Sequence, residues 1–275
     1  MNLNLTRCVC LLLCACSASD PQKSPVTDAG GSDVNKRDSE IVVPEEDAGP
    51  SFTVSGIVQD TDGRAWAGAT VQVCGKICNL AFADAKGVWS TPTHPEGKHL
   101  RVDGAIDEIR LFSPVIYHLS VTGDLALPAP TLLVVTPPAT PLLPWLHDVT
   151  VGELTLSLDS SKLTLPPNVT VAAVSSVRVP KAAWPPYDVG AKTVLAMWAM
   201  NAYATRSSVA VPVSIAVAGV TLGLAPGDAA VLLSVDPDTG LLIEPATATV
   251  SAKGDAIVTD SAQGLRRLTW VVLAR

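Results

Sequence analysis

Phe52-Thr53-Val54-Ser55-Gly56-Ile57-Val58, followed at once by Asp60-Thr61-Asp62-Gly63, sets the fold class. β-Branched and apolar residues alternate here with small or polar ones, the period of a strand that buries one face, and the acidic run ending in glycine is turn chemistry. Further turns are marked by Gly75, Gly87 and Gly97, at intervals of 12, 12 and 10 residues from Gly63. That spacing suits the short strands of a sandwich or barrel. Frequent Pro and Gly leave no capped segment of helical period and useful length, so the region reads as all-β.

The same texture continues downstream. Thr136-Pro137-Pro138-Ala139-Thr140-Pro141-Leu142-Leu143-Pro144 reads as a semi-rigid joint. It divides a first β-sandwich over 51–136 from a second, sandwich-like domain over 145–275. In the second, Leu154-Thr155-Leu156-Ser157-Leu158 and Val211-Pro212-Val213-Ser214-Ile215-Ala216-Val217 alternate with period two. Turns are expected at Pro226-Gly227-Asp228, Asp236-Pro237-Asp238-Thr239-Gly240 and Lys253-Gly254-Asp255. The chain closes on Leu268-Thr269-Trp270-Val271-Val272-Leu273, a continuous apolar run suited to a buried strand. Ser207 to Gly227 carries no charge over 21 residues, yet Pro212, Pro226 and the alternation favour a strand over a membrane helix.

Val54-Ser55-Gly56-Ile57-Val58-Gln59-Asp60, Gly63, Gly68-Ala69-Thr70-Val71-Gln72-Val73 and Ala83-Asp84-Ala85-Lys86-Gly87-Val88-Trp89 together resemble the carboxypeptidase regulatory-like domain, a transthyretin-like sandwich of the carbohydrate-binding-like fold group. The resemblance covers about 50 residues well and about 85 in outline. It implies positive-φ turns at Gly63 and Gly87, a tight strand entry at Gly68-Ala69, and valines facing the core. Trp66 stands where the family often has proline, and is expected to leave an exposed ring. In metallocarboxypeptidases this domain is an accessory to a separate catalytic unit, so the resemblance implies no activity. The second region resembles carboxy-terminal sandwich segments that accompany such domains in bacterial surface lipoproteins, through Leu224-Ala225-Pro226-Gly227, Asp236 to Gly240, Thr259-Asp260 and Leu268-Thr269-Trp270.

The amino terminus reads as an address. Residues 1–15 combine one basic residue, Arg7, with an apolar stretch too short to span a bilayer. Leu13-Cys14-Ala15-Cys16 resembles the bacterial lipobox, which implies cleavage before Cys16, a diacylglyceryl thioether on its sulfur and acylation of the freed amine, palmitate among the expected chains. More than one chain is needed for stable anchoring. Ser17 in place of Asp implies release to the outer membrane. Residues 16–50 then carry eight acidic against three basic side chains after Cys16 and almost no aromatic content. Such a segment buries too little apolar surface to order itself and reads as a disordered acidic tether, about 30 Å long on average. Of six cysteines only Cys74 and Cys78 remain in the folded part. A Gly-Lys turn between them lets a hairpin bring them to disulfide range in an oxidising compartment.

Chemistry-bearing patterns are sparse. With 275 residues, 48% hydrophobic, 16% charged and a net charge of −7, the chain has ample core and no basic surface for nucleic acid. His94, His99, His118 and His147 show no zinc-peptidase spacing, and there is no nucleophile elbow, phosphate loop or dinucleotide fingerprint. Neither an enzyme nor a cofactor is expected. Asp60 and Asp62, and Asp236 and Asp238, are calcium candidates of low ligand count that read first as turns. Trp66, and the stiff loop of Trp184-Pro185-Pro186-Tyr187, offer rings that can stack on sugars or pack into small cores. The expectation is a non-catalytic, lipid-anchored cell-envelope protein of the outer membrane with a structural, adhesive or protein-contact role. The alternative is a glycan-binding module; its partners are the membrane through the lipid, and a glycan or envelope protein.

Overall fold

The computed structural model describes residues 51–94, 98–104, 112–143, 147–165, 169, 171–202, 205–260 and 262–275, without the side chains of 244 and 245. The expected signal segment and acidic tether, with Cys16 and Ser17, lie outside the described residues, as do Gly97 and Trp145. The fold is all-β: among the described residues the only helical pieces are short 3-10 turns, at Ser160–Lys162, Lys181–Ala183 and Gly219–Leu222.

The first segment contributes β1 (Phe52–Asp60), β2 (Thr70–Cys74), β3 (Cys78–Phe82), β4 (Val88–Thr93), β5 (His99–Asp103), β6 (Phe112–Ser113), β7 (Val115–His118), β8 (Leu125–Ala126) and β9 (Thr131–Val135). They form two sheets, β4-β1-β9-β6 with β8 added to β1, and β3-β2-β5-β7. The opening stretch does what its period dictates: Val54 and Val58 of β1, like Val71 and Val73 of β2, are fully buried. The turns expected of Gly63 and Gly87 have φ of +82° and +75°.

The second segment contributes β10 (Thr140–Pro141), β11 (Asp148–Val151), β12 (Leu154–Ser157), β13 (Leu163–Thr164), β14 (Ala173–Arg178), β15 (Val194–Asn201), β16 (Arg206–Val211), β17 (Val213–Ile215), β18 (Ala229–Val235), β19 (Leu242–Val250), β20 (Ile257–Thr259), β21 (Leu265–Arg267) and β22 (Val271–Ala274). Ten of these join in the order β10-β14-β15-β22-β18-β19-β20-β17-β12-β11, and β13, β16 and β21 form a separate small sheet in the order β13-β16-β21. The large sheet curls until β11 lies against β14, which nearly closes it into a barrel. Inward side chains from its strands, among them Leu154, Leu156, Trp198, Ile215, Leu232 and Leu273, fill one core.

Two features depart from the linear reading. The proline-rich joint is partly a strand: Thr140 and Pro141 pair with Val174 and Ala173, and Leu142 is buried in the second core. An X-Pro step favours extended backbone, and a sheet edge tolerates the missing N–H. The alternating run 211–217 is broken at Pro212, so that Val211 closes β16 and Val213 opens β17.

All the described residues belong to one compact unit, Glu46–Arg275. Met197 and Ala199 of β15, Leu233 and Val235 of β18, and Val272 and Ala274 of β22 share a core with Val54, Val71, Leu100 and Leu133 of the first segment. The opposite faces of those same strands fill the barrel interior, so β15, β18 and β22 are buried on both sides. Each large apolar side chain placed there contributes about 1.5–3 kcal/mol. Polar contacts fix the docking: the Ser113 hydroxyl donates to the Met200 carbonyl (2.8 Å), the Asn201 amide to the Phe112 carbonyl (2.8 Å), and the His118 N–H to the Gly240 carbonyl (3.0 Å).

Candidate functional site

A pocket of about 420 Å³ opens where β7, β8 and β9 of the first segment meet the stretch 182–186 of the second. Its wall includes Tyr117, Leu125, Leu127, Thr131, Trp184 and Pro185. Among the described residues that line it there is no Lys, Arg, Asp or Glu.

Local sequence explains the wall contributed by the second segment. Pro180 leads into the 3-10 turn Lys181–Ala183, and Trp184 terminates it. The Trp184 indole N–H donates to the Val179 carbonyl at 3.1 Å, which fixes the ring's azimuth, and Lys181 Nζ lies 5.9 Å from the ring centroid. Pro185 and Pro186 then hold the chain extended. The rest of the lining carries three hydroxyl side chains, Tyr117, Ser120 and Thr131, and the His118 imidazole. Thr131 is buried, and its hydroxyl is closed off from solvent next to the Tyr117 phenol. Burial pushes the Tyr117 phenol up from its ordinary value, so it stays protonated at neutral pH.

Trp184 is half-buried and lines this pocket, but Trp66 and Tyr187 do not join it there. Trp66 is not the exposed ring its turn suggested. Its backbone N–H donates to the Val58 carbonyl (3.0 Å), which folds the turn back, and the ring packs edge-on against Phe112 with centroids 4.2 Å apart. Tyr187 packs edge-on against Trp270 at 6.3 Å, and its hydroxyl is buried without a partner. Burial drives that phenol far up.

The two acidic loops are organised as turns. Asp60 Oδ1 accepts from the N–H groups of Asp62 (2.9 Å) and Arg64 (2.8 Å), and Asp62 faces Arg64 at 3.8 Å. Asp236 Oδ1 accepts from the Asp238 N–H (2.8 Å) while its other oxygen faces Arg267 at 3.5 Å. Asp238 is held between Arg206 (2.9 Å) and Arg267 (2.8 Å), and the hydrogen bond from Arg267 keeps its carboxyl below the usual carboxylate range. Among the described residues no group of three or more His, Cys, Asp or Glu is gathered as a metal ion requires. His99 and His118 are cross-strand partners on β5 and β7, and His99 is buried close to Asp238, Arg101, His118 and Asp236. Cys74 and Cys78 oppose each other at the end of the β2–β3 hairpin and form a disulfide.

The residues that sequence reasoning missed are Tyr117 and Thr131. Each sits in an ordinary apolar run, on strands of two different sheets, and only the packing of those sheets brings both to the pocket. Pro128-Ala129-Pro130, which the sequence displays openly, was the available signal for an irregular rim.

No family model and no curated protein matches this chain. Among solved structures it is similar to a DUF3823 family protein from Parabacteroides merdae, at 11% identity over 80% of this chain and 99% of that one, with a TM-score of 0.23. It is also similar to the major pilin subunit of Bacillus cereus, at 9% identity over 82% of this chain and 58% of that one, with a TM-score of 0.17. Superpositions this loose carry no argument about what this chain does.

Proposed function

We propose that this chain is a non-catalytic cell-envelope protein, held at the outer membrane by acylation of Cys16 and spaced from it by the acidic tether, whose β unit works as a rigid contact module. Its first sandwich is read as a regulatory-like accessory domain, on the residues that carry that resemblance. The observation that supports a contact role best is how the polar side chains of the described unit are committed. Asp60 organises its own turn, Asp236 and Asp238 are held by arginines, and Ser113 and Asn201 bind one segment to the other. These groups hold shape, and a rigid sandwich presents loops and edges to partners.

Labelling with radioactive palmitate tests the anchoring. The wild-type chain is expected to carry the label and to fractionate with outer membrane, and Cys16→Ser to lose both. Unlabelled, freely soluble wild-type protein would overturn the reading. Glycan binding is the weaker alternative, since Trp184 stands in a wall with few polar groups and Trp66 packs on Phe112.

A further inference from the structure

We propose that β3 pairs edge to edge with β3 of a second copy of this chain, antiparallel about a two-fold axis at Leu80. The pairing rests on the contact-module reading and deepens it, by naming one contact surface and its occupant.

Sheet edges are normally guarded, because their unpaired N–H and C=O groups invite another strand. Among the described residues every sheet edge but one has such a guard. Pro92 stands in β4 and Pro141 in β10, β21 carries Arg266 and Arg267, β11 opens on Asp148, and β6, β8 and β13 are only two residues long. β7 is covered where the His118 N–H donates to the Gly240 carbonyl. β3 is the exception: Cys78-Asn79-Leu80-Ala81-Phe82 holds neither proline nor charge over its five residues. Its outer face is apolar as well, with Leu80 53% and Phe82 55% exposed and Ile77, at the turn, 69% exposed.

The alternation of the ladder decides which backbone groups face outward. The Ala83 N–H donates to the Ala69 carbonyl (2.9 Å) and the Gly75 N–H to the Ile77 carbonyl (3.0 Å), so the odd-numbered residues of the hairpin bond across it. The Cys74 carbonyl, which accepts from the Lys98 N–H (2.7 Å), points the other way, towards β5. The N–H and C=O groups of Cys78, Leu80 and Phe82 are therefore directed away from β2, along the free edge.

A second β3 matches this edge in backbone, side chain and charge. Antiparallel pairing with Leu80 opposite Leu80 sets Cys78 opposite Phe82 on either side of the axis. All of these residues present outward groups, so every such pair exchanges both N–H···O bonds. Their side chains share one face, where the two Leu80 side chains meet and each Phe82 lies beside the disulfide-bonded Cys78 of the other copy. The same register brings Lys76, four residues before Leu80, opposite the exposed Asp84, four residues after it, at both ends. Opposite charges thus meet across the axis, which a parallel pairing would not achieve. The contact is isologous and closes at a dimer instead of growing into a fibre. It is smaller than a standard protein interface, so the dimer is expected to form at micromolar concentration.

The test uses the full chain carrying Cys16→Ser, which reads the edge without the lipid; palmitate labelling of the wild type reads the anchor separately, so failure of one is told apart from failure of the other. Sedimentation velocity between about 1 and about 200 µM is expected to show a shift from monomer to dimer. Leu80→Lys and Leu80→Glu each place like charges against one another across the axis, and each should weaken dimerisation by about tenfold or more. Because the Leu80 side chain is exposed, both variants should keep the parent's urea midpoint under monomeric conditions. Mixing the two should restore the dimer, since the register sets residue 80 against residue 80. Leu80→Pro, which removes an outward N–H and leaves the bonds to β2 intact, should weaken the dimer as well. A chain that stays monomeric throughout, a Leu80→Lys chain that dimerises like its parent, or a Lys and Glu mixture that stays monomeric overturns the pairing; the first of these leaves the edge to a strand of another protein.

Discussion

In β4 of the first segment the residues from Val88 to Thr93 are exposed and buried by turns, whereas in β22 of the second Val271 to Ala274 are all buried. The two patterns record two positions in the architecture. β4 is an edge strand with one face on a core and the other in water. β22 lies fourth in the ten-stranded sheet, with the barrel interior on one face and the first segment on the other. Most strands of the first segment can therefore be designed one face at a time, while β15, β18 and β22 answer to two cores at once. The difference locates the part of the molecule least tolerant of change: the shared seam, rather than either segment's own interior.

The severest way to break that comparison is a charge on the seam. Val272→Asp places a carboxylate at a fully buried position facing the first segment, and is expected to cost more than about 4 kcal/mol, read as loss of the cooperative urea transition. Val258→Asp on β20, at 41% exposure, should move the midpoint by about 0.5 kcal/mol or less. Similar losses in both would mean that the outer face of β22 is not the buried seam.

A smaller effect is expected where backbone approaches backbone. Gly240 has φ of +68°, and a Cβ there would lie 2.4 Å from the Tyr117 carbonyl carbon. Gly223 has a similar φ of +72° with open space around it. Gly240→Ala should therefore cost about 2–3 kcal/mol more than Gly223→Ala, for which only the left-handed backbone is penalised, at about 1 kcal/mol. Equal costs in thermal unfolding would show that the turn at 236–240 does not dock closely on β7.

The mildest effect is on pH dependence, again at the seam. Burial holds the pKa of His99 below its ordinary value, despite the opposing fields of Asp238 and Asp236, and Arg101 and His118 lower it further. The folded chain therefore prefers neutral His99. Its contribution is complete above the unfolded value of about 6.5 and is lost as the pH falls through it towards the folded value. The urea midpoint should fall between about pH 7 and pH 5, and fall less steeply in His99→Gln. Asp238, whose carboxyl is held low by the hydrogen bond from Arg267, contributes in a separate window: its stability is present above the ordinary carboxylate value and is lost as the pH drops below about 4. An unchanged slope in His99→Gln would assign the near-neutral dependence to another group.

The sequence by itself determined the all-β class, the glycine turns and the Cys74–Cys78 pairing, because strand period, positive φ and a hairpin closed by a Gly-Lys turn are local properties. The closing run was legible too, since a continuous apolar stretch suits a buried strand, and Val271 to Ala274 are all buried. Tertiary structure alone decided the rest. Trp66 looked exposed because its turn is polar, and Phe112 covers it from a distant strand. The proline-rich joint looked like a spacer, and Val174 and Ala173 recruit it as an edge strand. The pocket belongs to neither segment: Tyr117 and Thr131 reach it from one and Trp184 from the other, separated by more than fifty residues of chain. Periodicity states which face of a strand is buried. Only packing states what buries it, because that depends on partners the local sequence does not contain.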